Sequence, residues 1–241
     1  RLAVNLAQSV AEKGGVIINH MKVTGLILKD GRVAGLTAED QESGRKFDIH
    51  SDVVINATGV FADHILKMEN PQMRDVIKPS QGIHLVMAQD FLQGEEALMI
   101  PKTSDGRVLF AVPWHNRVVV GTTDVEKQHA ELEPEADEME VEYILEAARL
   151  YMENPPKRSD VLAVFTGLRP LAAPSAEGKK TKEISRGHKI LVSEGGLITL
   201  TGGKWTTYRK MAEDVVNRAC KEANLPFQES VTPTLKIHGY K

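Results

Sequence analysis

The sequence predicts an α/β (α+β) chain with two textures: a doubly wound domain and, set within it, a mostly antiparallel β-sheet domain. Three observations carry this. Residues 1–75 alternate helical and strand patterns around a small β-rich excursion, the order expected of an α/β layer. From about residue 76, short β-rich runs separated by turn residues follow one another, as in an antiparallel sheet. From residue 193 a strand, two glycines and a long helix return to the first pattern, and the chain turns polar after 224. The divisions so drawn are 1–75, 76–192, 193–225 and a linker over 226–241.

The elements follow in order. Leu2, Val4, Leu6, Ala7, Val10 and Ala11 predict an amphipathic helix over 1–13, stopped by Gly14-Gly15. Val16-Ile17-Ile18 reads as a short buried strand. VTGLILKDGRVAGLTAED holds two β-rich runs around Asp30-Gly31, a strong hairpin signal. RKFDI gives a third strand. DVVINATG gives a fourth, whose near-continuous apolar run suits a strand covered on both faces of a parallel sheet. FADHILKM continues as a helix. IKPSQGIHLVMA, EALMIP, RVLFAVPWHN and RVVVGTTDV are the antiparallel runs. A helix from about Pro134 to Glu153 has Glu135, Asp137 and Glu138 near its start and a Val141, Ile144, Leu145, Ala148 stripe; its acidic groups read as a solvated face. VLAVFTGLRPL, ISRGHKILV and LITLTGG are three further strands. KWTTYRKMAEDVVNRACKEA is the last helix, apolar at Met211, Val215, Val216 and Ala219.

Composition excludes whole classes. The 241 residues carry 30 Lys+Arg against 33 Asp+Glu, a net charge of −3, which argues against wholesale nucleic-acid binding. With 41% apolar and 26% charged residues the chain is not disordered. No apolar run reaches the ~20 residues that span a bilayer. One cysteine, Cys220, forbids an internal disulfide and points to a reducing, cytoplasmic compartment. The start at Arg1, directly in a helical pattern, reads as a piece of a longer protein.

The chemistry narrows quickly. The eight histidines show no zinc spacing and no cysteine partner, so no metal is expected. There is no G-x-S-x-G nucleophile motif. In LITLTGGKWTTYRK, a strand, Gly202-Gly203 and a helix start read either as a simple tight turn or as an anion site, and the adjacent Lys and Thr pair bring the second level with the first. The backbone can approach a ligand there, helical N–H groups face it, and Lys204 adds a full charge. Thr206 and Thr207 are first-turn hydroxyls. Ala57, Thr58 and Gly59 make a second junction of small residues. No G-x-G-x-x-G is present, so if a nucleotide cofactor binds, its pyrophosphate loop lies outside this sequence and the doubly wound domain here is incomplete.

Six segments taken together are more specific: VINATGVFAD, IKPSQGIHLV, RVLFAVPWHNRVVVGTTDV, FTGLRPL, EISRGHKI and TGGKWTTYRK. In that order, over nearly the whole chain, they resemble the FAD-dependent glycerol-3-phosphate dehydrogenases, with the glycerol-3-phosphate oxidases as near relatives. The resemblance implies a D-amino-acid-oxidase-like fold. It also implies FAD as cofactor and oxidation of glycerol 3-phosphate to dihydroxyacetone phosphate in glycerol metabolism. Electrons then pass to quinone, on a peripheral membrane flavoprotein at the inner face of the cell membrane. The amino-terminal G-x-G-x-x-G segment and carboxy-terminal helical domain of that family are absent here, so this central piece alone is expected to be inactive.

Such an oxidation needs the C2 hydroxyl proton removed, a hydride taken by the flavin, and the phosphate dianion held. Arg169 is the first phosphate candidate, because its fork suits bidentate contacts, and Arg186 the second. His84 is the candidate proton acceptor, since a neutral imidazole works near pH 7. Lys204 is assigned to substrate or to the reduced flavin, a choice the sequence leaves open. Val23, Ala57, Thr58, Gly59, Gly202, Gly203 and Thr206 are the expected flavin contacts. Thr122, Thr123 and Asp124 match a family motif but read more simply as a turn, and His115 finds no place. The basic 178–189 stretch reads as a solvated hairpin, with an anionic membrane as its alternative partner. Two other readings stay open: an oxidase that reduces O2, and a phosphate- or nucleotide-binding module without catalysis. A homo-oligomer is compatible with all three.

Overall fold

The computed structural model describes residues 1–101, 103, 106–173 and 187–240. In chain order the elements are α1 (Leu2–Glu12), β1 (Met21–Lys29), β2 (Arg32–Asp40), β3 (Lys46–His50), β4 (Ile55–Asn56), α2 (Ala62–Glu69), β5 (Ile77–Ala88), β6 (Leu98–Ile100), β7 (Leu109–Pro113), β8 (Arg117–Gly121), β9 (Val125–Glu126), α3 (Glu138–Arg149), β10 (Ala163–Ala172), β11 (His188–Val192), β12 (Ile198–Gly202) and α4 (Tyr208–Glu222). They form two units, residues 1–75 with 187–240, and residues 76–173.

The first unit holds two small sheets. β1, β2 and β3 pair antiparallel in sequence order. Asp30 (φ 52°) and Gly31 (φ 76°) are both left-handed, as a two-residue hairpin turn of this type needs. The second sheet is ordered β11-β12-β4, with β12 parallel to β4 through Ile198↔Ile55 and Thr199↔Asn56, and antiparallel to β11. Ile198, Val215 and Ala219 join α4 to this sheet, with Ile190 and Leu200 against them. The polar segment after 224 carries no helix or strand. Near its end it is tied to α1: Asn5 Nδ2 donates to His238 O at 2.7 Å, and His238 N donates to Ser9 Oγ at 2.7 Å.

The second unit is an antiparallel sheet ordered β10-β5-β8-β7-β6, with β9 pairing β5. α3 covers one face. Its Val141, Ile144, Leu145 and Ala148 pack with Ile83, Leu85, Met87, Leu109, Val118 and Val120 into one apolar core. Asp137 caps α3 by accepting from Met139 N, and Glu140 closes the capping box. Ile144 is fully buried, so Ile144→Ala is expected to cost about 3 kcal/mol, measured by chemical denaturation.

Several expectations are corrected here. Val16–Ile18 belongs to no strand, and Val16 is 85% exposed, because no described segment pairs with it. β4 is a two-residue ladder with β12 alone, and Ile55 is exposed rather than covered on both faces. β11 pairs with β12 and so joins the first unit, although the sequence reading carried the sheet domain to 192. α3 starts at Glu138 rather than near Pro134. α4 starts at Tyr208, because a single 3-10 turn over Trp205–Thr207 follows Lys204. Val216 on that helix is exposed. His115 does find a place: with Asn116 it forms the left-handed two-residue turn between β7 and β8 (φ 47° and 59°). No helix among the described residues is long and apolar enough to cross a membrane.

Candidate functional site

In the second unit a strand period of two sorts side chains between the sheet's faces. Ile83 and Leu85 enter the core under α3, whereas Gly82 and His84 lie on the opposite face. β10 repeats the division, with Phe165, Gly167 and Arg169 on that face and in register: Phe165↔His84, Gly167↔Gly82, Arg169↔Ser80. The rings of His84 and Phe165 stack at 4.9 Å and 9°. Beyond His84 the same cross-strand row continues through Gly121, Phe110 and Met99, of which Phe110 is 48% exposed.

The two glycines of this face make room for the two charged-type side chains beside them. A Cβ on Gly82 would lie 2.3 Å from Arg169 Nη2, and one on Gly121 would lie 2.4 Å from His84 Cδ2. The Arg169 guanidinium therefore lies flat over Gly82. It donates from Nη1 to Gln81 O at 3.3 Å and from Nη2 to Thr122 Oγ1 at 3.0 Å. His84 is half-buried, and this burial, followed by the nearby Arg169 charge, lowers its pKa below the ordinary histidine value. A neutral imidazole beside a fixed guanidinium is what the face offers: a proton acceptor next to an anion-binding fork.

In the first unit the expected flavin contacts gather on one sheet edge. Because β4 and β12 run parallel, their carboxyl ends emerge together, the edge at which open α/β sheets bind ligands. Ala57, Thr58 and Gly59 follow β4, and Gly202 and Gly203 end β12. Asn56 fixes the first turn: its Nδ2 donates to Ala62 O and to Thr199 Oγ1, and its Oδ1 accepts from Thr58 Oγ1 at 2.7 Å. Gly203 is held at φ 80°, a left-handed backbone that favours glycine, and a Cβ there would also push on the Met211 thioether, 2.5 Å from Sδ. An added Cβ at Gly59 would meet nothing within 4 Å, which leaves that turn open to a ligand. Lys204 and Thr206 are exposed beside the second turn. Val23 stands on β1, away from this edge in sequence and paired with Ala38. Small residues, open backbone and a cation at a carboxyl edge fit a flavin nucleotide.

Arg186 and most of the basic 178–189 stretch lie outside the described residues. Two residues that order these sites, Asn56 and His188, escaped the sequence reading, and three more were read only as a turn. Asn56 orders the first turn. His188, opposite Gly202 on β11, pairs through Nε2 with Asp214 Oδ2 at 3.0 Å; Lys210 also binds Asp214 and, with His188, holds its carboxyl below the usual range. Thr122, Thr123 and Asp124 form more than a turn, for their side chains reach Arg169, Glu140 and Ser80. Only the GTTDV motif could have signalled them. Among the described residues no cluster of His, Cys, Asp or Glu suits a metal ion.

Comparison with known proteins gives the family and the fold. Residues 1–209 match the model of the FAD dependent oxidoreductase family, DAO. The mitochondrial glycerol-3-phosphate dehydrogenase of Arabidopsis thaliana is 42% identical over 99% of this chain and 38% of its own length. That of Bos taurus is 39% identical over 100% of this chain and 34% of its own. Among solved structures, the glycerol-3-phosphate dehydrogenase from Bacillus halodurans complexed with FAD superposes with a TM-score of 0.88 at 30% identity, covering 100% of this chain and 46% of that one. The chain thus spans little more than a third of the curated relatives it matches. With its first 209 residues inside the family model, the chain belongs to the FAD dependent oxidoreductase family.

Proposed function

We propose that this chain carries the flavin edge and the substrate face of an enzyme that oxidises glycerol 3-phosphate to dihydroxyacetone phosphate. The observation that supports it most is the pairing, on one sheet face floored by glycines, of a guanidinium over Gly82 with a half-buried histidine of lowered pKa. The names of the relatives supply the substrate. In this reading Arg169 holds the phosphate, and its anchorage on Gln81 O and Thr122 Oγ1 fixes where that phosphate sits. His84 accepts the C2 hydroxyl proton on a ring nitrogen, and stacking on Phe165 fixes the plane of its ring. When bound, FAD supplies the two-electron acceptor for the hydride leaving C2. Ala57, Thr58, Gly59, Gly202, Gly203 and Thr206 would hold it through backbone approach and hydroxyls, with Val23 at its adenosine end. Lys204, beside the flavin edge, would offer a positive charge to the negative charge the cofactor gains.

Quinone as the final acceptor and a peripheral place on a quinone-bearing membrane extend the same reading. The test is to load the full-length protein with FAD and add glycerol 3-phosphate. Bleaching of the flavin absorbance supports the reading, and a yellow protein indifferent to glycerol 3-phosphate sinks it. Turnover with a soluble quinone but without peroxide supports the quinone acceptor, whereas stoichiometric peroxide favours the oxidase.

In Gly82→Ala the new methyl collides with the movable end of Arg169 rather than with backbone. The melting temperature should barely change, while KM for glycerol 3-phosphate rises about tenfold or more, since a misplacement near 1 Å can cost that much. Steady-state kinetics beside a thermal melt checks both halves.

A further inference from the structure

We propose that Glu140, on the core side of the sheet, is a positioning residue that holds the Arg169–His84 face in shape through Gln81 and Thr123. Glu140 is a carboxylate only 5% exposed, on a helix whose other acidic groups face solvent. Its Oε2 accepts from Gln81 Nε2 at 2.6 Å, and its Oε1 accepts from Thr123 Oγ1 at 2.5 Å. Each of these partners leads directly to the opposite face. Gln81 supplies the backbone carbonyl that receives Arg169 Nη1. Thr123 Oγ1 in turn accepts from the backbone N–H of Ile83, which lies between Gly82 and His84. Thr122, next to Thr123, supplies the hydroxyl that receives Arg169 Nη2. Ser80 Oγ donates to Asp124 Oδ1 and closes the same loop onto β5 from its other end. Both of these guanidinium acceptors therefore sit on, or beside, a residue clamped by one buried carboxylate.

A helix-capping role is the simpler account of this residue, for Asp137 N also points to Glu140 Oε2, at 3.4 Å. Capping needs only Glu or Gln at this place, whereas the clamp needs two acceptor oxygens. Gln81 also donates to Glu135 O at 3.0 Å, so its amide cannot flip without losing that bond. Thr123 Oγ1 receives the Ile83 N–H and gives its proton to Glu140, so receiving an amide N–H from that side instead would strip the buried hydroxyl proton of its acceptor. In Glu140→Gln the new NH2 must face one of these two donors. With the amide oxygen kept where Oε2 receives both Gln81 Nε2 and Asp137 N, the cap survives and the clamp fails at Thr123.

The kinetic half of the proposal rests on Arg169 as the phosphate-binding residue; the structural half does not. The experiment compares FAD-loaded full-length wild type, Glu140→Gln, Arg169→Ala and the double variant, with a crystal structure of the Glu140→Gln holoenzyme. Glu140→Gln is expected to raise KM for glycerol 3-phosphate about tenfold with kcat changing little, and to lower the melting temperature only modestly, the cost of one unpaired buried donor. In the Arg169→Ala background it should cost nothing further, since the two act through one contact. In the crystal the guanidinium should leave its seat over Gly82. An equal loss in both backgrounds, or no loss in either, overturns the proposal. If wild type ignores glycerol 3-phosphate, the functional reading fails separately, and the crystal decides: a guanidinium still over Gly82 overturns the clamp, and a displaced one supports it.

Discussion

Arg169→Ala in the FAD-loaded enzyme is expected to lower kcat/KM for glycerol 3-phosphate by about 10²–10³-fold, the scale of about 3–4 kcal/mol for removing one partner of a desolvated, hydrogen-bonded charge pair. Most of the loss should fall on KM, because the guanidinium meets a phosphate that carries the same charge before and after the reaction. Arg169→Lys should recover only part of it. A lysine has the charge but not the planar fork, and it cannot reach Gln81 O and Thr122 Oγ1 together as the guanidinium does. The flavin spectrum and FAD content should be unchanged in both variants, for the expected flavin contacts are on other elements. Steady-state kinetics with flavin quantitation checks all three statements. A loss confined to kcat would assign Arg169 to the reacting carbon instead of the phosphate.

Arg169 also shows what kind of information the sequence held. The residue was legible through FTGLRPL, and His84 through IKPSQGIHLV, because motifs mark residue types at fixed spacing. Their placement on one face follows from strand parity once Phe165↔His84 is known, but that register is a long-range fact. Arg169 and Gln81 are 88 positions apart, and nothing local to either encodes the contact. The Asp30-Gly31 hairpin and the α3 stripe were legible for the opposite reason: turn chemistry and helical periodicity act within a few residues.

Glu140 marks where local reading misleads. Its helix has acidic groups in the pattern of a solvated face, and a carboxylate there is ordinarily exposed. Its burial is decided by Gln81 and Thr123, which lie 59 and 17 positions away and satisfy both oxygens. Val16–Ile18 errs in the other direction. Its three β-branched residues have the propensity of a buried strand, yet propensity forms no strand without a ladder partner. Lys204 was read onto a helix start, but Trp205–Thr207 takes a 3-10 turn first, so the cation stands before the turn rather than on α4.

His84→Gln is expected to lower kcat by about 10²–10⁴-fold, the usual worth of a placed general base. The stronger test is the pH profile. Burial first, and Arg169 second, hold the His84 pKa below the ordinary value of 6.5. The base form therefore persists into mildly acid solution, and kcat/KM of wild type should fall only as pH drops through that lowered value. In His84→Gln this acid limb should vanish. In Arg169→Ala, with the neighbouring positive charge gone and the burial kept, the limb should move to higher pH, toward the ordinary histidine value. Stability has its own sign. The unfolded chain takes up the His84 proton at the ordinary value and the folded chain only below it, so between the two the unfolded state binds more protons. Stability should accordingly fall as pH drops below about 6.5, and His84→Gln should flatten that slope. The two profiles separate the roles. A histidine that merely packs against Phe165 would steepen stability with pH and leave the acid limb of kcat/KM where it was, whereas a proton acceptor must move both.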